Sequence, residues 1–215
     1  MKKIAVFFLL LFLCAFTLLS CGGKSDIVTV KDGYGISYFV KRDEKGFITV
    51  DEKGRMKVLP DQTTATGDTT KKADENGTVD FPYFVTDGKR AECYEFYLDI
   101  PEGWTLSGTQ TMKLTDSQNK ADMSFTLRTK DSVSGCIAEI KDLYKDWNPM
   151  WDEKDIDLSF AKAKYLSSIS ILPNSVKSFY VFTVKDNTYV VQTTSFGKPE
   201  EAAGFEDILK TVKFR

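Results

Sequence analysis

The chain has 215 residues, of which 29 are lysine or arginine and 31 are aspartate or glutamate, and its formal net charge at pH 7 is −2. This length suffices for one domain with a substantial core, and the mixed, slightly acidic composition argues against nucleic acid as a partner. Histidine is absent, which excludes Ser-His-Asp and Cys-His catalysis and nearly all zinc and copper sites, so we expect no cofactor.

Residues 1–20 have the layout of a secretory signal peptide. Lys2 and Lys3 precede an apolar run at residues 4–19, which is shorter than the roughly 20 residues that a membrane-spanning helix needs. The motif Leu18-Leu19-Ser20-Cys21 resembles the lipobox of bacterial lipoproteins. This resemblance implies lipid on Cys21, anchorage to the cell membrane or outer membrane, and a position facing outside the cytoplasm. The alternatives are an uncleaved anchor and an ordinary signal peptide.

Three short segments follow the signal peptide. Residues 21–25 form a tether, and residues 26–60 are predicted to be a small β-meander in which the turn Asp-Glu-Lys-Gly recurs at 43–46 and 51–54. Glycine in the fourth place suits a hairpin loop that ends in a left-handed residue. Two units are too few for a repeat architecture, so a pair of hairpins is favoured. Residues 61–80 are predicted to be a flexible linker, because 62–72 hold no large apolar side chain.

Residues 81–215 are predicted to form an α+β domain in which an antiparallel sheet carries an internal helix and a C-terminal helix. Apolar residues alternate at 94–100 and 123–127, which indicates half-buried strands. Candidate N-caps at Asp131, Ser132 and Ser134 open an amphipathic helix that continues to Trp147. The runs 178–184 and 188–191 flank a turn at 185–187, which predicts a hairpin whose first strand is covered on both faces.

The last segment has the pattern of an amphipathic helix. Pro199 stands at its predicted start, and acids follow in the first turn. An apolar stripe then recurs at helical spacing, at Phe205, Ile208, Leu209 and Val212.

From about residue 94 onward the chain resembles the PsbP-like family. The matching points are Phe96-Tyr97-Leu98-Asp99-Ile100-Pro101-Glu102-Gly103-Trp104, the strand–helix step at 123–147, the hairpin and the ending at 205–214. The resemblance implies an α-β-α sandwich that serves as a binding or accessory module. No photosynthetic role is carried over, and the residues before 94 depart from the family pattern.

Cys93 and Cys136 are the cysteines that remain beyond the lipobox. In an oxidising compartment they can form one disulfide. The alternative is two buried free thiols that behave as small apolar side chains. Period-2 alternation places Cys93 beside Glu95, on the more polar face of its strand.

Two candidate sites stand out in the C-terminal half. Tyr144, Trp147 and Trp151 are predicted to share one helical face, either as an exposed aromatic platform for a sugar, a peptide or the membrane surface, or as part of the core. The acidic run that contains Asp152, Asp155 and Asp157 is a candidate calcium site, and its alternative is a solvated start of a strand.

These observations favour a non-enzymatic binding or accessory lipoprotein. We expect a monomer held at the membrane by its N-terminal lipid, with an envelope protein or a glycan as partner. The alternative is a glycan hydrolase of the envelope that uses two carboxylates from Glu92, Glu95, Asp99 and the 152–157 run. A purely structural envelope protein is a third possibility.

Overall fold

The computed structural model describes residues 26–59, 73–118, 120–129, 131–169, 171, 174–196 and 204–215. The predictions for the signal peptide, Cys21, the tether, residues 61–72 of the linker and the helix start at Pro199 lie outside these residues. The strands are β1 (Ile27–Asp32), β2 (Ser37–Lys41), β3 (Met56–Lys57), β4 (Thr78–Val79), β5 (Val85–Thr86), β6 (Arg90–Glu92), β7 (Phe96–Asp99), β8 (Trp104–Ser107), β9 (Met112–Asp116), β10 (Ala121–Thr129), β11 (Asp152–Asp157), β12 (Lys162–Ser168), β13 (Ser175–Val184), β14 (Asn187–Phe196) and β15 (Lys213–Phe214). The helices are α1 (Val133–Leu143) and α2 (Phe205–Lys210), with a 3₁₀ turn at Lys145–Trp147.

The described strands form two large sheets and one small sheet. The first large sheet has the order β15-β7-β6-β5-β1-β2, the second has the order β11-β12-β13-β14-β10-β9-β8, and β3 pairs with β4. All of these pairings are antiparallel. The predicted α+β, largely antiparallel character is therefore confirmed, although strands form two large sheets and not one.

The main core lies between the two large sheets. Leu98 on β7 faces Met123 and Val191 of the second sheet in one buried cluster, which Ile208 and Leu209 of α2 complete. Each fully buried aliphatic side chain of this kind stabilises the fold by about 1.5–3 kcal/mol. The predicted apolar stripe of the last segment is confirmed, because its four members are all buried there.

Strand β13 is covered on both faces, as its sequence predicted. Tyr180 and Phe182 belong to the core between the sheets, whereas Phe179 and Val181 face α1 on the opposite side. The predicted hairpin also forms, because β13 and β14 pair from one end to the other. Lys185, in the turn between these two strands, has a left-handed φ of 51°.

Helix α1 is shorter than predicted. It begins at Ser132, one of the three candidate caps, whose hydroxyl accepts the Gly135 N–H. It ends at Leu143, and the chain passes through a 3₁₀ turn to Asn148, whose φ of 46° is left-handed. The α-helix thus ends about one turn before the Asn148-Pro149 pair, and Trp147 lies in the 3₁₀ turn outside the helix.

The Asp-Glu-Lys-Gly turns have a specific hydrogen-bond pattern. At residues 43–47 the Asp43 carboxylate accepts the N–H groups of Lys45 and Phe47. The Asp43 N–H donates to the Phe47 carbonyl, and the Gly46 N–H donates to the Asp43 carbonyl. Gly46 has a φ of 86°, which a side chain would strain. This is a three-residue hairpin loop closed by a left-handed glycine.

The same hydrogen-bond pattern recurs in four turns of the described chain. The turns start at Asp32, Asp43, Asp51 and Asp74, and each aspartate accepts the N–H groups two and four residues later. The motif Asp-Glu-Lys-Gly marks only the turns at 43 and 51, because aspartate and the glycine three residues later are the residues common to all four.

The end of the predicted linker is ordered structure. Residues 73–80 contain the turn at Asp74 and strand β4, which pairs with β3. Val79 is buried in a cluster with Met56, Val58 and Val40. The prediction of a linker over 61–80 is therefore wrong for its last eight residues, whose apolar members Val79 and Ala73 pack against the preceding hairpins.

The predicted boundary between a meander and a separate domain is also absent from the sheet pairing. Strand β1 pairs with β5 through Lys31–Thr86 and Asp32–Val85, so segments on both sides of the predicted linker share one sheet. Backbone hydrogen bonds, which carry little signature in a local sequence pattern, join these segments.

A buried carboxylate joins three distant parts of the chain. Glu92 on β6 is 1% exposed, and its Oε2 accepts Arg42 Nη1 at 2.6 Å. Its Oε1 accepts the Ile48 N–H at 2.7 Å and Arg215 Nη2 at 3.2 Å. Burial raises the pKa of Glu92, and the Ile48 N–H and the Arg42 guanidinium oppose that rise.

Replacement of Glu92 tests how much its carboxylate contributes to the stability of the fold. We predict that Glu92→Ala lowers the free energy of unfolding by about 3–5 kcal/mol, because Arg42 and Arg215 lose a buried carboxylate partner and the buried Ile48 N–H loses its acceptor. Urea denaturation of the chain from residue 22, which retains every described residue, measures this change in the free energy of unfolding. The control is Glu139→Ala, whose exposed carboxylate pairs with Arg128 and should cost under about 1 kcal/mol. Equal effects of the two substitutions would contradict the assignment.

Candidate binding site

A cavity of about 490 Å³ opens at one end of the core, between the 81–83 and 93–96 segments and strands β9, β10 and β14. Its volume lies in the range of small-molecule sites, roughly 300–1,000 Å³. Most of the wall is apolar. The aromatic members of this pocket are Phe81, Tyr83, Tyr94, Phe96, Phe125 and Tyr189.

The second sheet supplies the floor of the pocket. In the β10–β14 register Leu127 lies opposite Tyr189 and Phe125 lies opposite Val191, so these alternate residues share the face that points to the core. Phe96 closes the inner end, with its ring centroid 5.4 Å from Phe125 and 5.9 Å from Tyr189. Near the opening the side chains on this face are no longer fully buried, and Leu127 is 38% exposed.

A turn at 93–96 forms the opposite wall. The Cys93 N–H donates to the Phe96 carbonyl at 2.9 Å, and strand β7 begins only at Phe96. The turn rotates Cys93 into the core and leaves Tyr94 partly exposed. The predicted strand alternation had placed these two residues the other way round, and it is wrong at this point because the residues before Phe96 are not extended.

Arg215 holds that turn in place. Its backbone N–H donates to the Glu95 carbonyl at 2.8 Å, and its Nε donates to the Tyr94 carbonyl at 2.9 Å. Its Nη2 also donates to the Ile48 carbonyl and to Glu92. The buried ion cluster and the pocket wall are therefore connected through one side chain, a link that the sequence pattern did not indicate.

The polar groups of the pocket are few. Glu95 is the only charged residue among the described residues that line it. Burial, together with the Glu95 charge, raises the pKa of the Cys93 thiol, and the same two causes raise the pKa of the Tyr189 hydroxyl. Both groups are therefore neutral at pH 7, and the pocket carries one negative charge.

The possible disulfide between Cys93 and Cys136 does not form. Both cysteines are free and buried. Cys93 lies in the core between the sheets, whereas Cys136 on α1 packs against Phe179 and Val181 on the other face of the second sheet. A sheet separates the two thiols, and each acts as a small apolar side chain.

The three aromatic residues of the predicted platform do not share a face. Tyr144 and Trp151 pack on Phe179, with ring centroids 5.8 and 6.1 Å from it. Trp147 is 54% exposed because the helix ends before it. The structure thus assigns two of the three residues to the cluster beneath α1 and leaves Trp147 at the surface.

The acidic run lies on β11 at an edge of the second sheet. Asp155 pairs with Lys164 at 2.7 Å, and Asp152 and Asp157 occupy the two ends of the strand. Across the residues that the structure describes, no three histidine, cysteine, aspartate or glutamate side chains are grouped to hold a metal ion. The strand geometry spreads these acids along an exposed edge.

The carboxylates proposed for a hydrolase do not converge on the pocket. Glu92 is enclosed in the ion cluster, and Asp99 pairs with Arg90 at 3.3 Å. Their strand register places both on the face of the first sheet that carries Tyr97. Glu95 alone lines the pocket.

Neither a family model nor a curated protein matches the amino-acid sequence. Among solved structures, cyanobacterial PsbP (CyanoP) from Synechocystis sp. PCC 6803 is similar with a TM-score of 0.43 and 8% identity, over 56% of this chain and 86% of that chain. The Saccharomyces cerevisiae Ran-binding protein Mog1p gives 0.38 and 11%, over 55% and 89%. A Bacteroides thetaiotaomicron VPI-5482 protein gives 0.35 and 11%, over 60% and 49%.

These similarities concern fold alone. The first is to the family that the sequence resembles, and no partner or activity is transferred from any of the three. Within the described residues no helix is long and apolar enough to cross a membrane.

Proposed function

We propose that this protein is an extracytoplasmic bacterial lipoprotein, anchored to a membrane through lipid on Cys21, whose folded part is a non-enzymatic binding module. The lipobox-like motif Leu18-Leu19-Ser20-Cys21 supports the anchor. The pocket between the 93–96 turn and strands β10 and β14 supports the binding role. We expect its ligand to be a small, largely apolar molecule.

The pocket is preformed, which favours binding. Phe96 and Phe125 are buried and in ring contact at its inner end. The rim, in contrast, exposes apolar surface to water, since Tyr83 is 62% exposed and Tyr94 is 44% exposed. A ligand that covers these rings gains hydrophobic and stacking energy without a large reordering of the walls.

A glycan hydrolase is the less favoured function for this pocket. Glycosidases use two carboxylates about 5–10 Å apart, and Glu95 is the one carboxylate among the described lining residues. Binding of an apolar molecule requires no second carboxylate, so the residues that line this pocket suit binding better than hydrolysis.

Lipidation is tested by metabolic labelling. In a bacterial host fed an alkyne fatty acid, we expect label on the native chain and recovery in the membrane fraction, because Cys21 is the acceptor. Cys21→Ala should lose the label. The control Cys14→Ala, which lies within the apolar run, should keep it. Label that persists in Cys21→Ala, or that is absent from the native chain, would contradict the anchor.

Binding in the pocket is tested with Nile red, a neutral apolar dye, on the chain from residue 22. We predict that the dye fluoresces with the native chain and that Leu127→Trp, which places a larger side chain in the opening, reduces this response at least about fivefold. The matched control is Leu143→Trp, at a 71% exposed leucine on α1, which should leave it unchanged. Equal responses of the two variants would locate the dye elsewhere and reject the pocket.

A further inference from the structure

The pocket has an unbalanced charge. Glu95 lies at the 93–96 turn, partly buried, and among the described residues no lysine or arginine nitrogen lies within the 4.0 Å of an ion pair with it. Its charge raises the pKa of the adjacent Cys93 thiol, after burial. Glu95 is thus a carboxylate in an apolar recess with no cation to compensate it.

Two cations that line a cavity together with Glu95 are engaged with other groups. Lys185 and Arg215 line a smaller cavity of about 200 Å³ that shares Tyr94, Glu95 and Tyr189 with the pocket. Lys185 Nζ donates to the Arg215 carbonyl at 2.5 Å. The Arg215 side chain donates to two backbone carbonyls and to Glu92. Neither side chain is directed to Glu95.

Cation–π contacts already occur in this protein. The Arg90 guanidinium carbon lies 4.0 Å from the centroid of the Tyr97 ring, and that of Arg215 lies 4.7 Å from Phe47. Of the pocket rings, Tyr94 has Arg215 at 5.6 Å on one side. A second cation inside the pocket would meet ring faces and a carboxylate together, and both interactions strengthen as water is excluded.

We propose that the pocket binds a small apolar molecule that carries one cationic amine or quaternary ammonium group. Glu95 pairs with the cation, and Tyr83, Phe125 and Leu127 enclose the apolar part. An anionic ligand is rejected because it would face an uncompensated carboxylate. This inference rests on the binding role proposed above, and it names the class of ligand.

Three probes with one carbon skeleton test it: 4-phenylbutylamine, 4-phenylbutanol and 4-phenylbutyrate, which are cationic, neutral and anionic at pH 7. Nuclear magnetic resonance titration of the chain from residue 22 gives each Kd. We predict that the amine binds at least about tenfold more tightly than the alcohol, and that the acid binds most weakly. Glu95→Gln should reduce the preference for the amine to under about threefold.

The control is Glu102→Gln, at an exposed glutamate outside the pocket, which should leave the preference intact. If the alcohol binds as tightly as the amine and Leu127→Trp weakens both, the pocket is a binding site and the cation inference is wrong. A preference for the amine that survives Glu95→Gln also overturns the inference. If no probe shifts a pocket resonance and Nile red does not respond to Leu127→Trp, the proposed binding role fails as well.

Discussion

The buried carboxylate of Glu92 is the constraint on which the arrangement of this protein depends. A charge in the interior is tolerated only where donors surround it. Here the donors come from Arg42, Ile48 and Arg215, which lie 50, 44 and 123 residues away in sequence. To supply them, the 43–48 turn must cover the first sheet and the last strand must lie beside β7.

The pocket follows from this constraint. Arg215, once held by Glu92, donates two further hydrogen bonds to the backbone of the 93–96 turn. Beyond this turn the ends of β10 and β14 remain partly uncovered, and Leu127 reaches solvent. A structural ion cluster and a binding recess are thereby parts of one continuous arrangement. The isolated charge of Glu95 lies beside the cluster without entering it.

Local features of this fold could be predicted from the sequence. Alternation predicted the β13–β14 hairpin, and helical spacing predicted the buried stripe at Phe205 and Leu209. These signals are short-range, because each residue's environment depends on neighbours two to four positions away. The turns at Asp43 and Asp51 belong to the same class, since their hydrogen bonds close within five residues.

The site itself could not be predicted in this way. Cys93 and Tyr94 exchanged their expected faces because a turn precedes β7, and alternation assumes an unbroken strand. Glu92 was a candidate catalytic acid, yet its partners lie in segments that no local pattern connects. Trp147 lies off the aromatic face because the α-helix ends at Leu143 and the chain continues as a 3₁₀ turn. Long-range pairing and single backbone conformations decide these outcomes.

The central claim is that the hairpins before residue 80 and the two large sheets unfold as one unit joined at Glu92. Native-state hydrogen exchange measures it directly, by comparing protected amides of β1 and β2 with those of β13 and β14. The account predicts one shared free energy of opening for both groups, within about 1 kcal/mol. Exchange of the β1 and β2 amides through a separate opening, several kcal/mol lower in free energy, would contradict it.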